Sequence, residues 1–245
     1  MIRIFEKESH KEQQQQSGEG EEKKIIRTIE MKDEETGAEI EMSTFGATIL
    51  SIRVEDKRGI IGDVALGFDG AGSRGWEASG NAPYLGSTIG RFCNRIGGSK
   101  FELDGIVQKL DDDGNHRKGE STLHGGSNGF HNRVWDVDWT RTGVVGGSHA
   151  NVSMVRVSED GEMGFHGKIE CRSDFTLSRV PASAAVGGCC CTGKQQQQQQ
   201  QQHGLEKSVP RLTISFEAKS IDGKSTVVNM TNHVYLNLRG EGNGD

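Results

Sequence analysis

KFELDGIVQKL, residues 100–110, decides the fold class. Phe101 and Leu103 alternate with Lys100 and Glu102, the period of a half-buried strand. Asp104-Gly105 is a hairpin dipeptide, and Val107 continues the apolar pattern on the far side. The same grammar repeats outward from this hairpin. Upstream stand KIIRTIEMK (24–32), AEIEMS (38–43), ATILSIRVED (47–56) and IIGDVALGF (60–68), with glycine turns between them. Downstream, VWDVDWTRT (134–142) sets Trp135, Val137 and Trp139 against Val134, Asp136 and Asp138, predicting a strand with one apolar face. NVSMVRVSED (151–160), KIECRSDFTL (168–177), RLTISFEAKS (211–220) and STVVNMTNHVYLNL (225–238) close the series. No amphipathic helix is evident. Strands every eight to fifteen residues predict an all-β chain, a large antiparallel sandwich.

Composition bounds the rest. The chain has 245 residues, enough for a sizeable core, but only 32% are apolar, so the foldable part is shorter than the chain. Residues 1–23 read as a disordered lead-in, being charged and glutamine-rich over Gln13–Gln16. Residues 180–209, with Cys189–Cys191 and Gln195–Gln202, read as a low-complexity insertion between two strands that would pair. The remainder of 24–245 is expected to be one domain. Net charge is 29 − 35 = −6, which argues against a nucleic-acid partner and favours a small neutral ligand. No apolar run reaches a membrane span, and MIRIFEKESHKEQQQQ has charges where a signal peptide needs an apolar run. A cytoplasmic protein is expected. Five cysteines at Cys93, Cys171 and Cys189–Cys191 lack zinc-ligand spacing, so no metal is expected. Gly70–Gly75 matches GxGxxG, but Gly80 and Pro83 would end the helix that a dinucleotide site needs.

Three clusters could carry chemistry. Gly90–Gly98 holds Arg91, Asn94 and Arg95, donors and acceptors suited to a hydroxyl-rich or anionic ligand. Ser121–Phe130 places His124 before two glycines, where backbone and imidazole can both approach a ligand. In the terminal strand Thr231, His233 and Tyr235 share one face. His116, His131 and His166 lie at no metal-like spacing and receive no role. Each cluster also reads as an ordinary turn or half-buried histidine, and alone they name no reaction.

Together and in this order they resemble the aldose 1-epimerase (galactose mutarotase) family. The matching stretches are STFGATILSIRVEDKRG, GDVALGFD, YLGSTIGRFCNRIGGSKFELDGIVQKL, STLHGGSNGFHNRVWDV, DGEMGFHGKIECRSDFTL and TVVNMTNHVYLNLRG, over roughly residues 36–240. The resemblance implies a many-stranded sandwich that interconverts the α and β anomers of free hexoses such as galactose and glucose, in hexose metabolism, with no cofactor. It implies that Asn94 and Arg95 bind sugar hydroxyls and that His124 contacts the sugar near its ring oxygen. It implies that His233 is the general acid, with Tyr235 lining the site. Opening a hemiacetal needs a proton on the ring oxygen and loss of one from the anomeric hydroxyl, which suits an imidazole acid. The family's base is a glutamate well beyond the TNHxY strand. Only twelve residues follow His233 here, and Glu241 is too close to be that group. A chain cut short at its C-terminus, lacking the last strands, is therefore expected. Two alternatives stay open: a catalytically dead sugar-binding module, and a hexose-6-phosphate mutarotase, which would need extra cations at the site. Oligomeric state is not readable.

Overall fold

The computed structural model describes residues 1–17, 20–68, 84–111, 120–185 and 207–240. The strands in chain order are β1 (Ile2–Ser17), β2 (Gly20–Asp33), β3 (Glu39–Ser43), β4 (Thr48–Glu55), β5 (Ile61–Asp63), β6 (Ala65–Leu66), β7 (Thr88–Ile89), β8 (Arg95–Gly97), β9 (Lys100–Leu103), β10 (Ile106–Lys109), β11 (Ser121–Leu123), β12 (Asp136–Val137), β13 (Gly143–Val145), β14 (His149–Ser158), β15 (Ile169–Pro181), β16 (Ser208–Ser220), β17 (Thr231–Asn232) and β18 (Tyr235–Leu236). Among the described residues the α-helical content is one turn, α1 (Ala182–Ala185).

Strands β1 to β5 form one antiparallel sheet in sequence order. A second sheet runs β12-β14-β15-β16, with β13 also paired to β14. Period-two alternation turns one face of each toward the other. Ile29 and Met31 of β2, Ile40 and Met42 of β3 and Ile49 of β4 meet Ala150, Val152 and Met154 of β14 and Ile169, Cys171, Phe175 and Leu177 of β15 in a single buried cluster. Glu30, Glu39 and Glu41 fall on the alternate positions. Arg179 ties the two layers, its Nε donating to both carboxylate oxygens of the buried Asp33.

The founding hairpin has the expected register, with Ile106 opposite Leu103. Asp104 and Gly105 both take positive φ, 54° and 74°, as a two-residue hairpin turn requires. Phe101 and Leu103 turn inward, Phe101 packing near Phe165. The far strand differs from the apolar expectation: Val107 is exposed, and Gln108 is buried opposite Phe101 with its Oε1 accepting the His166 N–H.

Three further expectations change. The segment read as a disordered lead-in instead contains β1, which pairs along β2 from Ile2↔Asp33 to Ser17↔Gly20. Ile2 is in the core, and its N–H donates to the Gly147 carbonyl, so the chain start is anchored to both sheets. VWDVDWTRT is a strand only over Asp136–Val137. Asp138 Oδ1 accepts from both the N–H and the hydroxyl of Thr140, which turns the chain and leaves Trp139 exposed. The terminal strand divides into β17 and β18 because Asn232 Oδ1 takes the Val234 N–H. Across the insertion, β15 and β16 pair directly, Pro181 opposite Ser208. The Gly70–Gly75 motif, His116, Cys189–Cys191 and the second glutamine run lie outside the described residues.

Candidate functional site

The site is assembled at strand ends. Strands β8 and β11 pair with Leu123 opposite Arg95, which sets Asn94 beside His124. Two hydrogen bonds close this contact. The His124 N–H donates to the Asn94 carbonyl at 3.1 Å, and the Asn94 N–H donates to His124 Nδ1 at 3.0 Å. Both residues take positive φ, 65° and 54°, a left-handed backbone that costs non-glycine residues energy. With Nδ1 occupied as an acceptor, the neutral imidazole carries its proton on Nε2 and offers a donor there. Asn94 Oδ1 accepts the Arg95 N–H and guanidinium, at 2.9 and 3.4 Å. Asn94 and Arg95 are exposed.

His233 arrives from the other end of the chain. β17 pairs with β7 and β18 with β6. Between them the His233 N–H donates to the Ser87 carbonyl at 2.8 Å, and the Gly86 N–H donates to the His233 carbonyl at 3.1 Å. Its ring stands 5.0 Å from that of His124, edge to face at 82°. Tyr235 lies on the same side, 5.2 Å from His233, and is half exposed. His233 Nδ1 is buried with no hydrogen-bond partner among the described residues, which leaves Nε2 as the nitrogen available to a ligand. The fold thus brings His124, His233, Tyr235, Asn94 and, through Asn94, Arg95 into one cluster.

Arg91 does not join it. Its guanidinium is buried and donates to the Ser158 hydroxyl and carbonyl, the carbonyls of Glu159, Phe165, His166 and Gly167, and the Thr226 hydroxyl. It organises the 158–167 loop. Arg95 is therefore the member of the arginine pair left to face a ligand.

Two rings were missed from sequence. Tyr84 packs edge-on against His124 at 4.8 Å and His131 at 4.7 Å, and lies 5.8 Å from His233. His131 sits in the 3₁₀ turn Phe130–Asn132 beneath the site, almost fully buried, with Nδ1 unpartnered among the described residues. Burial pulls its pKa down to about 4, and His124, Arg133 and His233 push in the same direction. It is neutral where an ordinary histidine would titrate. A folded pKa below the unfolded 6.5 withdraws stability as pH falls from 6.5 toward 4. The expected loss from this group is about 3 kcal/mol. Urea unfolding at stepped pH in the parent chain and His131→Phe measures it; superimposable pH profiles would contradict it.

A buried charged network supports the turn. Arg156, on the inward face of β14, lies over the Phe130 ring at 4.6 Å and donates from Nη2 to Glu162 at 2.7 Å. Arg133 reaches the same carboxylate at 3.3 Å, and the Ser158 hydroxyl donates to its other oxygen. Burial raises the Glu162 pKa, but the two arginines and Ser158 outweigh it, so the carboxyl lies below its ordinary range. The turns above interlock. A Cβ on Gly90 would stand 2.1 Å from the Phe130 ring, and one on Gly125 2.0 Å from the Gly90 carbonyl oxygen. Glycine is required at both.

A sequence model of the aldose 1-epimerase family matches residues 27–180. Galactose mutarotase of Bos taurus is 31% identical over 206 residues, covering 83% of this chain and 45% of the relative. Aldose 1-epimerase of Escherichia coli (strain K12) is 29% identical over 205 residues, covering 84% and 46%. The crystal structure of galactose 1-epimerase from Lactobacillus acidophilus NCFM superimposes with a TM-score of 0.63 at 18% identity, over 97% of this chain and 54% of that one. The chain thus spans about half the length of the curated relatives it matches. With an all-β antiparallel fold of the same kind and a family match across most of its length, the chain belongs to the aldose 1-epimerase family.

Proposed function

We propose that this chain carries the sugar-binding and acid side of a mutarotase site and acts on the α and β anomers of free hexoses, galactose and glucose first among them, in hexose and galactose metabolism. The observation that carries the reading is the His124–His233 pair, two imidazoles 5.0 Å apart, one with its tautomer set by the Asn94 N–H. His124 donates from Nε2 to the sugar near the ring oxygen and stabilises charge developing there. His233 delivers the proton to that oxygen through Nε2. Asn94 and Arg95 hold sugar hydroxyls, and Tyr235 walls the open side. The ring opens, the C1–C2 bond rotates, and closure on the other carbonyl face gives the second anomer. No described residue is matched to the family's glutamate base, so the anomeric hydroxyl proton leaves to solvent water as the carbonyl forms. No metal or organic cofactor enters the scheme. Among the described residues no helix is long and apolar enough to cross a membrane.

The engagement of Arg91 inside the fold favours a neutral sugar over a hexose 6-phosphate, because the phosphate would meet Arg95 without that second cation. Anomer-exchange NMR on freshly dissolved α-galactose tests the proposal. Acceleration above the buffer rate by the purified chain is the expected result. A folded chain that leaves the rate at the buffer value would contradict turnover, and binding without acceleration would favour a non-catalytic sugar module.

A further inference from the structure

The two imidazoles assigned to the reaction are held on different segments, and hydrogen bonds alone do not connect them. His124 is fixed to Asn94 through Nδ1, while His233 is fixed only through its backbone among the described residues. Their rings meet edge to face at 5.0 Å, and a third ring packs against both. Tyr84 meets His124 at 4.8 Å and 72°, His131 at 4.7 Å and 86°, and His233 at 5.8 Å and 52°. These separations lie within the 4.5–7 Å range of favourable aromatic contacts, the first two edge-on and the third tilted. The ring is 9% exposed and its apolar surface packs with Ile89 and Leu123.

Its backbone shows the same placement being enforced. Tyr84 has φ of 60°, and a bulky side chain in the left-handed region is an outlier that surrounding structure must hold in place. The turn that follows does so. The Ser87 N–H donates to the Tyr84 carbonyl, and a Cβ on Gly86 would stand 2.0 Å from the Ile49 carbonyl oxygen. Gly86 and Ser87 are also the residues whose backbone pairs with His233. The turn that aims the tyrosine ring is therefore the turn that registers the acid.

We propose that Tyr84 is a positioning residue of the site, its ring being the common wall that sets the orientation of His233 relative to His124 and closes off His131 beneath them. This deepens the mutarotase reading and rests on its assignment of His124 and His233 as the sugar-contacting pair.

The test is spectroscopic and independent of turnover. Side-chain ¹⁵N–¹H correlation spectra of the full chain report the protonation and tautomer of each imidazole nitrogen. The parent chain should show His124 with an acceptor Nδ1 and a protonated Nε2. Tyr84→Phe, which keeps the ring, should retain that pattern and the His233 resonances. Tyr84→Leu, which removes it, should give mixed His124 tautomers and shifted His233 resonances while His149 stays unchanged. If the chain turns over galactose, kcat should fall in Tyr84→Leu with KM nearly constant, and Tyr84→Phe should restore it. Unchanged His124 and His233 signals in a folded Tyr84→Leu, or their loss in Tyr84→Phe, would overturn the proposal. Should Tyr84→Leu not fold, nuclear Overhauser contacts in the parent chain decide: Tyr84 ring protons should see all three imidazoles, and contact with one alone would overturn it. A chain inactive on galactose but showing these signatures would refute the proposed function and leave the positioning role standing.

Discussion

On the proposed function, replacing His233 with alanine lowers galactose anomerisation above the buffer rate by about 10²–10⁴-fold, the ordinary contribution of a positioned general acid. The backbone of His233 is bonded on both sides, to Ser87 and Gly86, and those bonds survive truncation of the ring. The ring itself is half buried, edge-on to His124 and tilted against Tyr235, and its Nδ1 makes no hydrogen bond among the described residues. Its loss therefore removes a proton donor without opening the core. His233→Ala should unfold at nearly the parent denaturant midpoint. A parent-like rate with His233→Ala would remove the imidazole from the mechanism. A large loss of stability would mean that the ring serves packing first.

Replacing Glu162 with glutamine lowers the unfolding free energy by about 3–5 kcal/mol, the usual result of removing one partner from a buried ion pair. Glu162 faces Arg156 and Arg133 with little solvent access to any of the three. Without its charge two guanidinium groups remain buried against Phe130 and the 158–167 loop. Arg156 Nε and Nη1 already lack hydrogen-bond partners among the described residues, so local relaxation has few acceptors to offer. The pH dependence has a definite sign. The folded pKa of Glu162 is depressed, so its contribution is complete above the unfolded value of 4.5 and disappears as pH falls through the folded value. Glu162→Gln should flatten that acid limb. Guanidinium unfolding at pH 7 and pH 4 measures both effects. Adding Arg156→Met to Glu162→Gln should recover part of the loss, because an apolar side chain leaves no unpaired charge. A change below about 1 kcal/mol in Glu162→Gln would show that the network is solvated.

The parts of the fold legible in sequence are those where local periodicity and burial agree. Glu39 to Met42 alternates as written, and Asp104-Gly105 turns as its chemistry demands. The parts that were not legible depend on distant partners. β1 carries polar residues because β2 supplies its hydrogen bonds and Ile2 its anchor in the core. Trp135–Trp139 alternates apolar with acidic residues, yet the Asp138 carboxylate captures Thr140 and ends the strand. The same division holds at the site. Asn94, Arg95, His124 and His233 are marked by glycines and by the NRI, LHGG and TNHxY stretches. Arg91 stands in the same motif but points inward, and nothing in its spelling distinguishes it from Arg95. His131 and Tyr84 had no readable signal. One is a histidine in a loop and the other an aromatic after a proline, and only folding of three separate turns brings them together.

The most direct test of the central claim is whether one sugar is seen by residues from both the middle and the last strands of the chain. Side-chain ¹⁵N spectra of the imidazoles, titrated with galactose, answer this without requiring turnover. Saturable shifts of His124 and His233 with one shared dissociation constant, while the exposed His149 at the start of β14 stays still, are the predicted result. Galactose that leaves both resonances in place, or moves them with unrelated affinities, would contradict a common hexose site.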